Sequence, residues 1–404
     1  MNRFALSVSS AIARVTESAL GPCQTAVVRI GFSATWLLFL LREFPHRAEL
    51  YGPSGPWSWD DAQQLIAVNH AFTALMWSDG RAWFEIVYVL AVLSSVLLLL
   101  GWRTRTMSVL FMIGVLSLQN RSVFMGDGGD NVLHLMSVYL VFTRCGQVWS
   151  LDARRARRAA GARARGERVA DRMGPVLWSV LGFALVAVTA GGRFDGVDPT
   201  VPVIVWTVWV ALGVWWVVGR RAKSAEPRIL LDVVGNIVHN GALVVIMAEA
   251  CLIYATAGWY KIQGSRWQDG TAVYYPLHLD YFSPWPALAD LLSSSGIMVM
   301  LVTYGTVVVQ VAFPFTLFNR RVKNVLLAVM MTEHTVIAVV LGLPFFSLAM
   351  IAADSVFLPT SFLRGLGERV ARARARLLAR GARVPLPGPR APENPEPTHA
   401  SSTV

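Results

Sequence analysis

Apolar residues run through this chain in long blocks separated by shorter polar stretches. Ten blocks cover residues 25–42, 83–100, 105–122, 131–144, 174–190, 201–218, 233–258, 297–318, 324–342 and 345–358. Most approach the roughly 20 residues that a helix needs to cross the hydrocarbon of a bilayer. Backbone in lipid must satisfy its own N–H and C=O groups, so each block predicts a helix. The fourth and tenth blocks are short, which predicts tilted, re-entrant or partly covered segments. The pattern predicts an all-α fold: a polytopic transmembrane helical bundle with about ten membrane segments.

The polar stretches assign the sides. Eight arginines fall between Arg154 and Arg172, after the fourth block. Further basic clusters follow the sixth block ("GRRAK"), the eighth ("NRRVK") and the tenth ("RVARARARLLAR"), and Arg103 and Arg105 lie between the second and third. All five sites share one side if both termini are cytoplasmic, as the positive-inside rule requires. The loops 43–82, 123–130, 191–200 and 259–296 are then expected outside. This divides the chain into a cytoplasmic N-terminal segment (1–22), a transmembrane domain (23–360) with a basic cytoplasmic loop (145–173), and a cytoplasmic tail (361–404). The tail is basic at first and Pro-rich from Val384, a composition expected to be disordered.

Composition supports the membrane reading. Of 404 residues, 54% are hydrophobic and only 15% charged, with a mean hydropathy of +0.49. Soluble domains carry about a quarter charged residues. Fifteen tryptophans suit two interfacial belts. The net charge of +11 sits in short clusters between apolar blocks, which points to the bilayer as partner and away from nucleic acid. The expected localisation is the cell membrane, multi-pass. Cys23, Cys145 and Cys251 lack metal-ligand spacing and read as buried thiols. No cleavable leader is evident in the first residues.

Ionisable and amide side chains near or inside the blocks are the candidates for chemistry. Lys261 follows the seventh block in "ATAGWYKIQGSRWQDGTAVYY", among Trp259, Tyr260, Trp267 and Tyr275. It reads either as a lysine reaching to headgroups or as a base, since desolvation favours the free amine. Glu333 and His334 lie within the ninth block, as a proton relay or as a pair joining helices. Asn236, His239 and Asn240 share one helix face and read mainly as interhelical hydrogen bonding. Glu249 needs a partner, for which Arg29 is a candidate. Asp127, Asp130, Asn131 and His134 have metal-type spacing if helical, but Gly128 and Gly129 argue against a helix, and an Asp or Asn cap is the plainer reading. No metal site is therefore expected. Arg121 reads as a snorkelling arginine. No Walker-type loop, HExxH or GxSxG occurs.

The stretch "YATAGWYKIQGSRWQDGTAVYY" resembles the signature of the horizontally transferred transmembrane (HTTM) domain, shared by vitamin K-dependent gamma-glutamyl carboxylases and bacterial relatives. The resemblance rests on Ala257-Gly258, Lys261, Trp267 and Asp269-Gly270. "VWSLD" at 148–152 is similar to a helix end of that family, and His334 with Phe346-Ser347 and Met350 is similar to its late helix. Together these cover about residues 20–360.

The resemblance implies catalytic roles for Lys261 and His334. Lys261 would deprotonate a reduced quinone of the vitamin K hydroquinone type, and His334 would polarise or relay. Trp259, Tyr260, Trp267 and Glu333 would line the substrate site, in a cavity opening outward. A small peptide is the implied second substrate. The chain departs from the carboxylases in having no counterpart of their large extramembrane domain. One extra residue separates the lysine from the tryptophan, and the segments 174–190 and 201–218 look like additions. Their Asn-His pair near the fourth segment has only the offset Asp130-Asn131 and His134 here. A non-catalytic maturation or export factor for a small secreted peptide, and a transporter, are the alternative functions. The smaller bacterial relatives include maturation proteins for a sporulation-delaying peptide toxin. A transporter would favour an internal repeat, which the sequence lacks.

Overall fold

The computed structural model describes residues 3–167, 171–221 and 224–381. The described residues up to Thr360 form one compact unit and those from Ser361 a second. The described residues are helical throughout, with no strand among them. The first unit runs through α1 (Arg3–Glu17), α2 (Pro22–Glu43), α3 (Arg47–Tyr51), α4 (Trp59–Asn69), α5 (Arg81–Leu100) and α6 (Thr104–Arg121). It continues through α7 (Gly128–Val141), α8 (Leu151–Ala164), α9 (Met173–Ala190), α10 (Thr200–Arg221) and the long α11 (Glu226–Gln263). Three short helices follow, α12 (Ser265–Gln268), α13 (Tyr274–Leu277) and α14 (Pro286–Ser293), then α15 (Gly296–Ala312), α16 (Arg320–Val340) and α17 (Pro344–Asp354). The last helix, α18 (Thr360–Gly381), lies almost wholly in the second unit. Residues 382–404, the Pro-rich stretch among them, lie outside the described residues.

All ten apolar blocks are helical. Seven stretches are long and apolar enough to cross a membrane: Pro22–Tyr51, Arg81–Leu100, Met173–Ala190, Thr200–Arg221, Glu226–Gln263, Gly296–Thr316 and Arg320–Val340. The remaining blocks are α6, α7 and α17. At 1.5 Å per residue α7 and α17 rise only about 21 and 16 Å, short of a hydrocarbon core of ~30 Å. Their apolar character comes from burial in protein. Leu133, Met136 and Leu140 of α7 join Ala349, Met350 and Ala353 of α17 in one core with Phe32 and Trp36 of α2 and Phe111 of α6. A helix that is apolar all round is a buried helix, whether lipid or protein covers it.

Two arginines hold this core together, and both differ from the sequence expectation. Arg29 is fully buried and does not pair with Glu249. Its guanidinium donates to the carbonyls of Leu98, Leu99 (2.7 Å), Cys145 (3.2 Å) and Trp149 (2.9 Å). These include two carbonyls of the C-terminal turn of α5, where a cation is favoured. Gly101 closes that helix at φ +71°, and a Cβ there would stand 2.3 Å from the Ser150 side chain. Glu249 is half-buried and makes no hydrogen bond or ion pair among the described residues. Arg121, at 1% exposure, does not snorkel. It donates to the carbonyls of Gly52 and Trp57, both at 3.0 Å, and ties the 52–57 turn to the end of α6.

The polar face of α11 is a docking face for α1, as its spacing suggests. Asn240 donates to the carbonyls of Val15 and Ser18, and Asn236 to that of Thr16. The Arg144 backbone N–H donates to His239 Nδ1 at 2.7 Å, which leaves Nε2 to donate to the Leu20 carbonyl at 2.8 Å. Helix α9 pairs with α10 through reciprocal tryptophans. Trp178 and Trp209 stack with centroids 4.3 Å apart, and each indole N–H donates to the other residue's carbonyl. Gly182 and Gly213 make room: a Cβ on either would stand 2.5 or 2.8 Å from the opposing indole. Asp171 links this hairpin to Arg103. Hydrogen bonds from Arg103 hold the Asp171 carboxyl below the ordinary carboxylate range. The link therefore contributes above an unfolded pKa of ~3.9 and is lost as pH falls through the lower folded value.

Candidate functional site

Lys261 belongs to the C-terminal turn of α11, which extends to Gln263. The helix rises about 57 Å over its length, well beyond the ~30 Å hydrocarbon core, so its last turns belong to an interface. The buried residues Tyr254 and Gly258 precede Lys261 by seven and three positions, on the same helical face. Gly258 lets α15 approach, since a Cβ there would stand 2.6 Å from Val311 Cγ2. That approach brings Gln310 of α15 to Lys261. The ammonium Nζ donates to Gln310 Oε1 at 2.9 Å, and Gln310 Nε2 donates to Glu333 Oε1 at 3.1 Å. Nζ also lies 5.2 Å from the centroid of the Trp267 ring, within cation–π range. Lysine and carboxylate thus communicate through one amide instead of touching.

About two helical turns further back along α11 lies a second polar cluster. Tyr254 Oη donates to Asp354 Oδ2 at 3.0 Å and sits 3.0 Å from His334 Nε2. Tyrosine has one hydroxyl proton, so His334 Nε2 must be the donor in the second contact. His334 Nδ1 is then a lone-pair acceptor, and it has no hydrogen-bond partner; neither do Asp354 Oδ1 and Ser347 Oγ. Asp354 and Ser347 are fully buried and His334 is 2% exposed. Phe346 packs against the His334 ring at 5.5 Å. The consecutive residues Glu333 and His334 therefore belong to two neighbouring networks, one reaching Lys261 and the other the bundle core.

The aromatic surround is less complete than the sequence suggests. Trp267 faces the lysine, but Trp259 and Tyr260 are 61% and 73% exposed and point away from the bundle. Tyr275 lies under Arg266 at 4.9 Å instead. Arg266 also pairs with Asp269 at 3.6 Å. Two cavities stand out in the fold, and neither is lined by Lys261, Glu333 or His334. The smaller, about 370 Å³, is lined by Tyr51, Gln119, Asp127, Asp130, Asn131 and His134 among others. Here α7 forms despite Gly128 and Gly129, because Asp127 and Asp130 complete a capping box. The two glycines are the places where Phe346 crosses: a Cβ at Gly129 would stand 2.6 Å from Phe346 Cα. Phe346 thus touches both Gly128, which lines this cavity, and the His334 ring. No cluster of three or more metal-type ligands occurs among the described residues.

Three members of the site were not singled out from the sequence: Gln310, Tyr254 and Asp354. Asp354 is a carboxylate inside an apolar block, which is itself a signal. Tyr254 shares the helix face of Lys261 at seven residues' spacing, and Gln310 is the lone amide of its block. Tyr254→Phe would leave Asp354 Oδ2 and His334 Nε2 without their partner. The expected cost is about 1–3 kcal/mol, read as a lower melting temperature in detergent; an unchanged melt would show the triad to be unimportant for folding.

The all-helical fold with seven apolar helices is that of a multi-pass membrane protein in outline. No family model, curated protein or solved structure matches the chain.

Proposed function

We propose that this chain is an HTTM-type integral protein of the plasma membrane with both termini in the cytoplasm, and that it acts on a quinol, a small peptide or both at its outer face. The observation that carries this reading is the Lys261–Gln310–Glu333 chain beside Trp267. A general base must lie within hydrogen-bond reach of the proton it takes and must have somewhere to place the resulting charge. In the free-amine form Lys261 Nζ accepts the hydroxyl proton of a hydroquinone. The quinolate stays at the site, and the new ammonium is stabilised by Gln310 Oε1 and, through it, by Glu333. Trp267 offers a flat face for ring stacking. His334, with its free Nδ1 behind Phe346, serves as the polarising or relay group once Phe346 turns aside.

The test is mass spectrometry of the host's secreted and membrane peptides with and without the gene. A gain of one carbon dioxide on glutamate, present only with the gene, is the expected result under the carboxylase reading. Unmodified but uncleaved or unexported peptide would favour the maturation factor instead. The sidedness is tested separately by Ser265→Cys: labelling by an impermeant maleimide in intact cells is expected, and labelling only after lysis would reverse the topology.

A further inference from the structure

The larger cavity, about 1100 Å³, lies between the α9–α10 hairpin and the core helices α5 and α6. Drug-sized ligand sites run to roughly 300–1,000 Å³, so this groove takes a bulkier occupant. Its walls are almost entirely apolar: Leu90 of α5, Val109 and Ile113 of α6, Leu181 of α9, and Val208 and Val217 of α10. Along α9 it is lined from Gly174 to Val188, about 21 Å at the helical rise. One end is closed by the rings of Phe72, Trp77 and Phe194, and the other by Arg103, Arg105, Arg155 and Asp171.

The charged end is not balanced. Arg103 pairs with Asp171, and Arg155 with Asp152 at 3.2 Å. Arg105 has neither a carboxylate nor a guanidinium hydrogen bond among the described residues, and rests on the face of Trp215 at 4.5 Å. The second arginine over Trp215, Arg144 at 5.3 Å, is occupied by Asn236 and Asp232. A desolvated guanidinium with free donors at the mouth of a long apolar groove is complementary to an amphiphile carrying an anionic phosphate.

We propose that this groove is a binding site for an anionic phospholipid, with its phosphate on Arg105 and its acyl chains between the α9–α10 hairpin and α5–α6. The hairpin then has a purpose: it encloses the lipid against the core. Its own packing fits that role, because α9 and α10 hold each other through Trp178 and Trp209 and leave the space beneath them open. The proposal does not depend on the chemistry proposed for Lys261.

The experiment is native mass spectrometry of the delipidated full chain offered equimolar dioleoyl phosphatidylglycerol and dioleoyl phosphatidylcholine. Retention of phosphatidylglycerol is expected to exceed that of phosphatidylcholine by about fivefold, the increment of one cation near a lipid phosphate. Arg105→Gln is expected to bring the ratio near unity, while Arg105→Lys keeps most of it. Ala184→Trp, which projects an indole into the groove from an exposed position, is expected to reduce retention of both lipids. Equal retention by the parent chain, or an unchanged ratio in Arg105→Gln, would mean ordinary boundary lipid and overturn the proposal. Displacement of the lipid by inorganic phosphate would assign the site to a soluble anion. A doubled mass in place of bound lipid would assign the groove to a second copy of the chain. Either of these two results would also overturn it.

Discussion

Arg29→Met is expected to destabilise the bundle by more than ~3 kcal/mol, enough to abolish folding in a marginal membrane protein. The side chain is fully buried, and its donors go to backbone carbonyls of α5 and of the 145–149 turn. Hydrogen bonds from a charged donor contribute about 1.5–3 kcal/mol each, and a buried carbonyl left alone costs about 1–3 kcal/mol. Methionine fills similar volume but takes the guanidinium donors from all four carbonyls, of which only that of Leu98 keeps a backbone partner among the described residues, the Gly101 N–H. Arg29→Lys should recover only part, because an ammonium lacks the planar fork that reaches several acceptors at once. Thermal unfolding of detergent-purified protein measures both variants. A methionine variant that melts with the parent would show that the carbonyls find other partners, and would sink the claim.

Lys261→Ala is expected to lower oxygen-dependent consumption of reduced menaquinone in proteoliposomes by about 10²–10⁴-fold, the usual contribution of a general base. The fold should survive, since Gln310 keeps Glu333 as a partner. The informative control is Lys261→Arg. Arginine can still donate to Gln310 and lie over Trp267, but it does not lose its proton in proteins. A base role predicts that the arginine variant is as inactive as the alanine one. Restoration of activity by arginine would make Lys261 a structural cation and remove the proposed proton transfer.

How much of this was legible in advance depends on the physical origin of each feature. The helices at 81–100, 173–190 and 200–221 follow from long apolar runs alone, because a backbone away from water must bond to itself locally. The face of Asn236, His239 and Asn240 was also readable as interhelical, since helical spacing is a local property. The failures have a common cause. From the sequence Arg29 is a candidate partner for Glu249 and Arg121 reads as reaching the headgroups, because side-chain charge invites a charged or solvated partner. The structure satisfies both with carbonyls at turns distant in sequence. Gly128 and Gly129 argue against a helix by propensity, yet both stand where Phe346 crosses α7, and at Gly129 a Cβ would meet the Phe346 backbone.

The lysine site divides in the same way. Lys261, Trp267, Glu333 and His334 could be picked out as costly or interfacial residues from their positions in the apolar pattern. That pattern could not show that Trp259 and Tyr260 turn outward, or that Gln310 stands between lysine and carboxylate. By itself the sequence determined an all-helical chain, its apolar helices and the polar residues too expensive to be there without a partner. Only the tertiary structure decided which partners those residues have, which short helices are covered by protein, and where the α9–α10 hairpin leaves a groove. Helix formation is written in neighbouring residues, whereas side-chain partners are set by how helices far apart in sequence come to lie against one another.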